Sequence, residues 1–136
     1  MSEPRSWLFV PADSEKKIAK ACASAADAII FDLEDSVAPE RKAAARDILK
    51  GLGRNEGGPQ WWVRVNPLRA DDHRLDLGLI GVADVYGIVL PKAESGADVI
   101  ELSHRTGTIP IHAIVTETAA SLFGLASYGV PGSPLA

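Results

Sequence analysis

Six side chains with chemical potential stand at the ends of short apolar runs. The stretch IIFDLEDSV (29–37) sets Asp32, Glu34 and Asp35 directly after a greasy segment. Crowded carboxylates repel one another, so they require a cation, a proton or solvent to offset them. Arg64 sits inside the apolar run WWVRV, where an unpaired guanidinium would be costly to bury. Lys92 follows Pro91, and Glu117 closes IHAIVTE before the small, apolar segment TAASLFGL. Carboxylates beside a guanidinium and an ammonium suit the joint binding of a divalent cation and a carboxylate substrate. Plainer readings stand beside this one. The acidic stretch also reads as a solvated loop in which Asp or Ser36 caps a helix. Arg64 also reads as an ion-pair partner of Asp32 or Glu34, Lys92 as a surface lysine, and Glu117 as a carboxylate favoured by a helix N-terminus.

The elements that must position these groups alternate in type. Strands are expected over 6–10, 28–33, 61–65, 87–91 and 111–117. Helical spacing occupies the intervals. Residues 14–26 bring Ile18, Cys22 and Ala25 together, with Asp13 or Ser14 as N-cap. Residues 39–50 start from Pro39 and place Ala45, Ile48, Leu49 and Leu52 on one side. Leu75 and Leu79 fit a helical face within 70–81, Val99 and Ile100 turn inward in 96–106, and Ala119, Leu122, Phe123 and Ala126 align in 118–128. The strands are nearly continuous in apolar residues, as parallel strands covered by helices are. The tail GVPGSPLA reads as a loop.

A βα series fits either a doubly wound sheet or a (β/α)₈ barrel. No GxGxxG or GxxxxGK[ST] occurs, so a dinucleotide or P-loop site is poorly supported. In a parallel array the C-terminal strand ends share one rim, where barrel enzymes build their sites. Strand alternation puts Asp32 with Glu34 and Arg64 with Asn66, while Asp35 points elsewhere. His73, His104 and His112 lack ligand-like spacing; His104 is expected on a helix surface and His112 near the N-terminal end of a strand. Trp61 and Trp62 are expected to pack in the core and helix layer.

Bulk properties narrow the partners. The 136 residues, 46% hydrophobic and 24% charged, suit one globular domain. The net charge of −4 and the lack of a basic stripe argue against a nucleic-acid surface. Cys22 is alone, which excludes an internal disulfide and leaves a reducing cytoplasm as the expected compartment. The first residues do not resemble a signal peptide, and no apolar run approaches the roughly eighteen residues of a membrane span.

The segments RSWLFVPADS (5–14), DAIIFDLEDSVAPERKAAAR (27–46), VRVNPL (63–68), GIVLPKAES (87–95) and IVTETAASLFGL (114–125), taken in order, resemble the citrate lyase β-subunit-like proteins of the HpcH/HpaI aldolase superfamily. That group includes citryl-, malyl- and citramalyl-thioester lyases. The resemblance implies a (β/α)₈ TIM barrel, of which this chain supplies about five βα units as an N-terminal portion. It implies a Mg²⁺-dependent carbon–carbon lyase acting on a 3-hydroxyacyl thioester of CoA or an acyl carrier protein and releasing an oxo-acid. Glu117 would be a direct Mg²⁺ ligand, Arg64 would hold the oxo-acid, and Glu34 and Asp35 would lie around the metal and its waters. Arg5, Ser6 and Lys92 would contribute to substrate binding. Relatives are usually trimers or hexamers, so a homo-oligomer is expected.

The same resemblance implies a second metal ligand, an Asp about one βα unit beyond the E-T motif, which these 136 residues do not contain. A complete barrel takes roughly 250 residues. The expectation is therefore an N-terminal part of a lyase with little turnover by itself. Two alternatives remain. One is a pyruvate-dependent class II aldolase, a branch that usually carries His where Asp35 stands. The other is a non-catalytic fragment acting through a partner chain.

Overall fold

The computed structural model describes residues 3–129; the Gly- and Pro-rich tail beyond Gly129 lies outside them. Five strands, β1 (Trp7–Pro11), β2 (Ala28–Asp32), β3 (Gln60–Arg64), β4 (Gly87–Leu90) and β5 (Ile111–Ala113), pair in the order 1-2-3-4-5. Every pairing is parallel. A doubly wound sheet would reverse direction at an internal switch point. Unbroken sequential order is that of a (β/α)₈ barrel, here incomplete.

The connections carry α1 (Glu15–Cys22), α2 (Lys42–Lys50), α3 (Asp71–Asp76), α4 (Gly96–Thr106) and α5 (Ser121–Gly124). Ser14 caps α1 by accepting a hydrogen bond from the Lys17 amide. A 3₁₀ turn at Pro39–Arg41 leads into α2, with proline at its first position. Gly107 ends α4 with φ of 70°, a left-handed conformation that suits glycine.

Strand alternation produces two apolar layers. Ile29, Phe31, Val63, Ile88, Leu90 and Ile111 face the helices and join Ile18, Leu49, Val99 and Leu102 in the main core. Ala28, Ile30, Trp62 and Val89 form a smaller cluster on the opposite face, with Trp7 and Ile114 against it. The adjacent tryptophans therefore divide: Trp61 meets Phe31 edge-on in the first layer, and Trp62 stacks on His112 with ring centres 4.3 Å apart in the second. His112 lies in the middle of β5, beside Val89, and burial pushes its pKa down against the opposing pull of Glu3. His104 is exposed on α4.

Several expected faces turn out differently. Leu75 and Ile100 are exposed, while His73, Asp76 and Leu102 take the inward positions of their helices. The expected helix over 118–128 is a single α turn followed by a 3₁₀ turn, with Ser121 buried and Phe123 93% exposed. β5 stops at Ala113, so Thr116 and Glu117 lie in the loop after it.

Gly87 allows the close packing of the second layer. A Cβ there would lie 2.3 Å from the Trp62 ring. Gly87→Ala is expected to destabilise the fold by about 1–3 kcal/mol through overpacking, measured by denaturant unfolding; unchanged stability would mean that Trp62 is free to shift.

Candidate active site

Asp32 and Arg64 end β2 and β3 as register partners, both on the sheet face away from the helices. Their side chains meet through two parallel hydrogen bonds: Arg64 Nε donates to Asp32 Oδ1 at 2.8 Å, and Nη2 to Oδ2 at 2.7 Å. Asp32 also accepts the backbone amides of Glu34 (2.9 Å) and Ser36 (3.1 Å), so it shapes the turn that follows. Burial pushes its pKa up, but Arg64, Ser36 and the Glu34 amide together outweigh burial and hold the carboxyl below the usual range. The Asp32 hydrogen bonds, opposed by burial, raise the pKa of Arg64. The Phe9 ring lies beneath the guanidinium, 4.8 Å from its central carbon.

The remaining guanidinium nitrogen, Nη1, reaches Glu34 Oε2 at 3.3 Å. That buried oxygen has no hydrogen-bond partner among the described residues. Lys92, just beyond β4, extends Nζ to Glu34 Oε1 and lies 3.5 Å from both Asp35 oxygens. The Glu34 contact, opposed by burial and reinforced by Asp35, raises the pKa of Lys92. The Lys92 backbone amide donates to Glu117 Oε2 at 2.7 Å. Its φ of 52° is left-handed, a conformation uncommon outside glycine. Thr118, next along, donates its hydroxyl to Glu94 at 3.3 Å.

Thus Arg64, Glu34, Asp35, Lys92 and Glu117 converge on one rim. Arg5 and Ser6 do not. They precede β1 at the opposite end of the sheet, where both backbone amides and the Ser6 hydroxyl donate to Asp27 at 3.0 Å. Asn66 also departs from the expected pairing with Arg64. β3 ends at Arg64, so strict alternation lapses, and Asn66 turns toward the helices to donate to the Leu33 carbonyl and to Asp76. Sequence reasoning did not anticipate Lys42, which donates to Leu33 and Glu34 carbonyls and to Asn66; only its place in the segment shared with the family marked it.

Four carboxylates (Asp32, Glu34, Asp35 and Glu117) face two cations (Arg64 and Lys92), leaving a formal excess of two negative charges. Among the described residues no three acidic, His or Cys side chains are already gathered as a ligand set. Hard oxygen donors with a two-charge excess fit Mg²⁺, which commonly takes only one or two protein carboxylates with waters and substrate oxygens.

Comparison with known proteins defines the class. Residues 5–119 match the family described as HpcH/HpaI aldolase/citrate lyase, and the chain belongs to that family. It is 43% identical over 99 residues to a citrate lyase subunit beta-like protein of Mycobacterium tuberculosis, covering 73% of this chain and 35% of that protein. It is 37% identical over 124 residues to a (3S)-malyl-CoA thioesterase of Cereibacter sphaeroides, covering 90% and 43% respectively. Among solved structures, the M. tuberculosis protein CitE with magnesium, acetoacetate and coenzyme A superposes with a TM-score of 0.76 at 39% identity, covering 89% of this chain and 42% of that one. The same protein with magnesium and pyruvate gives 0.75, covering 47% of its length. The chain therefore spans well under two thirds of these relatives. No helix among the described residues is long and apolar enough to cross a membrane.

Removing one partner of the Asp32–Arg64 pair should be costly. Asp32→Asn is expected to lose about 3–5 kcal/mol of stability at neutral pH, because Arg64 loses its buried anion. A carboxyl with a depressed folded pKa contributes stability above its unfolded pKa of about 4 and loses it as pH falls through the folded value. Unfolding measured from pH 6 downward should therefore show an acid-dependent loss in the native chain that is smaller in the variant; parallel profiles would separate Asp32 from the acid transition.

Proposed function

We propose that this chain carries the oxo-acid and Mg²⁺ portion of a carbon–carbon lyase active site, the N-terminal part of a TIM-barrel lyase domain. The reaction cleaves a 3-hydroxyacyl thioester, of the citryl, malyl or citramalyl type on CoA or an acyl carrier protein, into an acyl thioester and an oxo-acid. The observation that carries this reading is the rim itself: a guanidinium fixed by Asp32 beside carboxylates with a two-charge excess. The magnesium, oxo-acids and coenzyme A named for the mycobacterial structures support it.

Arg64 is the oxo-acid anchor. Asp32 takes its Nε–Nη2 edge, so Nη1, now facing Glu34, is the nitrogen that a substrate carboxylate engages. Asp32 holds the guanidinium plane, so Nη1 donates in a fixed direction that a flexible lysine point charge does not reproduce. Glu117 is the metal ligand, and Glu34 and Asp35 hold the ion and its waters. When bound, Mg²⁺ supplies Lewis-acid polarisation of the oxo-acid carbonyl. Lys92 balances Glu34 and Asp35 and lines the substrate side of the rim. In the cleavage direction the 3-hydroxyl proton leaves to a base and the carbon–carbon electron pair passes to the thioester α-carbon. Protonation of that carbon then releases the acyl thioester. The same reading includes a homo-oligomer, trimeric or hexameric, in a reducing cytoplasm. The exposed Leu122 and Phe123 and the lone Cys22 support those two points.

Calorimetric titration with Mg²⁺ and pyruvate tests the roles separately. Glu117→Gln is expected to weaken Mg²⁺ binding at least about tenfold through loss of a charged oxygen ligand. Arg64→Lys is expected to weaken pyruvate binding in the presence of Mg²⁺ about tenfold or more. Native affinities in both variants would remove these residues from the site.

A further inference from the structure

Behind the rim lies a second polar cluster that the proposed chemistry does not use. Arg46, on α2, donates to Asp72 at 3.0 Å and to Asp76 at 2.9 Å. The fully buried Asp76 accepts both the backbone amide and the side-chain amide of Asn66 at 2.7 Å. Asn66 donates in turn to the Leu33 carbonyl at 3.0 Å, and Lys42 donates to that carbonyl at 3.0 Å, to the Glu34 carbonyl at 3.4 Å and to the Asn66 side-chain oxygen. The two carbonyls that precede and follow the Glu34 Cα are thereby drawn toward the helix layer. The Glu34 side chain leaves in the other direction, toward Arg64 and Lys92.

We propose that Lys42 is a positioning residue: by gathering the Leu33 and Glu34 carbonyls against Asn66, it aims the Glu34 carboxylate into the rim. Buried carbonyls demand donors, and Lys42 adds a charged one to two consecutive carbonyls outside any strand or helix, sharing Leu33 with Asn66 and Glu34 with the Val37 amide at 3.2 Å. Arg46 and Asp76 keep Asn66 in place as its support. Lys42 touches no substrate; it acts through Glu34. Its relevance to catalysis rests on the function proposed above, whereas the aiming of Glu34 is a property of the ligand-free chain.

The test is a double-mutant cycle between Glu34 and Lys92, using Glu34→Gln and Lys92→Met, read by denaturant unfolding in native and Lys42→Met backgrounds. The native background should show a coupling of about fivefold in the unfolding constant, typical of a partly exposed ion pair. In Lys42→Met that coupling should fall to about unity, and Lys42→Arg, which keeps charged donors, should restore it. A merely structural role for Lys42 lowers stability in all four members of the cycle and leaves the coupling intact; that result overturns the proposal, as does a native coupling near unity. Should Lys42→Met fail to fold, Lys42→Gln replaces it under the same criterion. Titration of the native chain with Mg²⁺ and pyruvate runs alongside: absence of binding there counts against the functional reading alone, since the cycle needs no ligand.

Discussion

The paired hydrogen bonds between Asp32 and Arg64 set what the rest of the rim can do. A guanidinium at the end of an apolar strand must be neutralised or left largely in water. Here it is 13% exposed and its partner 2% exposed, so the pair has been taken out of solvent together. That exchange is tolerable only with near-ideal geometry and with the remaining carboxylate lone pairs satisfied. Two backbone amides from the following turn complete the Asp32 shell. The same contacts that stabilise the ion pair therefore build the loop bearing Glu34 and Asp35. The remaining guanidinium nitrogen, Nη1, faces Glu34 across the rim.

Lys92 ties three strand ends together from the other side. Its ammonium reaches the loop after β2, and its backbone amide reaches the loop after β5. It makes both contacts from a left-handed backbone, with φ of 52°. Such a conformation costs of order 1 kcal/mol and persists where surrounding contacts over-determine it. Charge attraction to Glu34 and Asp35 and the 2.7 Å amide contact to Glu117 supply those contacts. Local strain is thus coupled to the acidic groups that need a cation.

The strand layout was legible because apolar runs with polar residues at one end can hardly be arranged otherwise in a parallel sheet. Alternation also put Asp32 with Glu34, and the observed register brings Arg64 beside Asp32. It failed at Asn66, which lies beyond the last paired residue of β3 and answers to Asp76 instead. Leu75, Ile100, Leu122 and Phe123 illustrate a second limit. Helical spacing reports which residues share a face, but packing decides which face is covered, and buried Asp76, Leu102 and Ser121 occupy those positions. Arg5 and Ser6 were drawn to the rim by family likeness, although their place before β1 puts them beside Asp27. Lys42 was hidden for another reason: two of its three partners are backbone carbonyls, which no residue pattern displays.

Burial sorts the four rim carboxylates in a way that bears on cation exchange. Asp32 and Glu34 are 2% and 4% exposed at the side chain and are matched to Arg64 and Lys92. Among the described residues, Asp35 is 69% exposed with Lys92 at 3.5 Å, and Glu117 is exposed and accepts the Lys92 backbone amide. The inner acids are therefore balanced in charge by fixed cations, since an unpaired charge at that depth would cost several kcal/mol, while one buried Glu34 oxygen keeps no hydrogen bond among the described residues. The excess charge resides on the outer acids, where water stabilises it until a dication arrives. Under the proposed function, a hydrated ion such as Mg²⁺ would meet that outer position first, where it need not displace a guanidinium or shed its whole water shell. The depth gradient, more than the number of acids, makes this rim suited to a metal shared with a substrate.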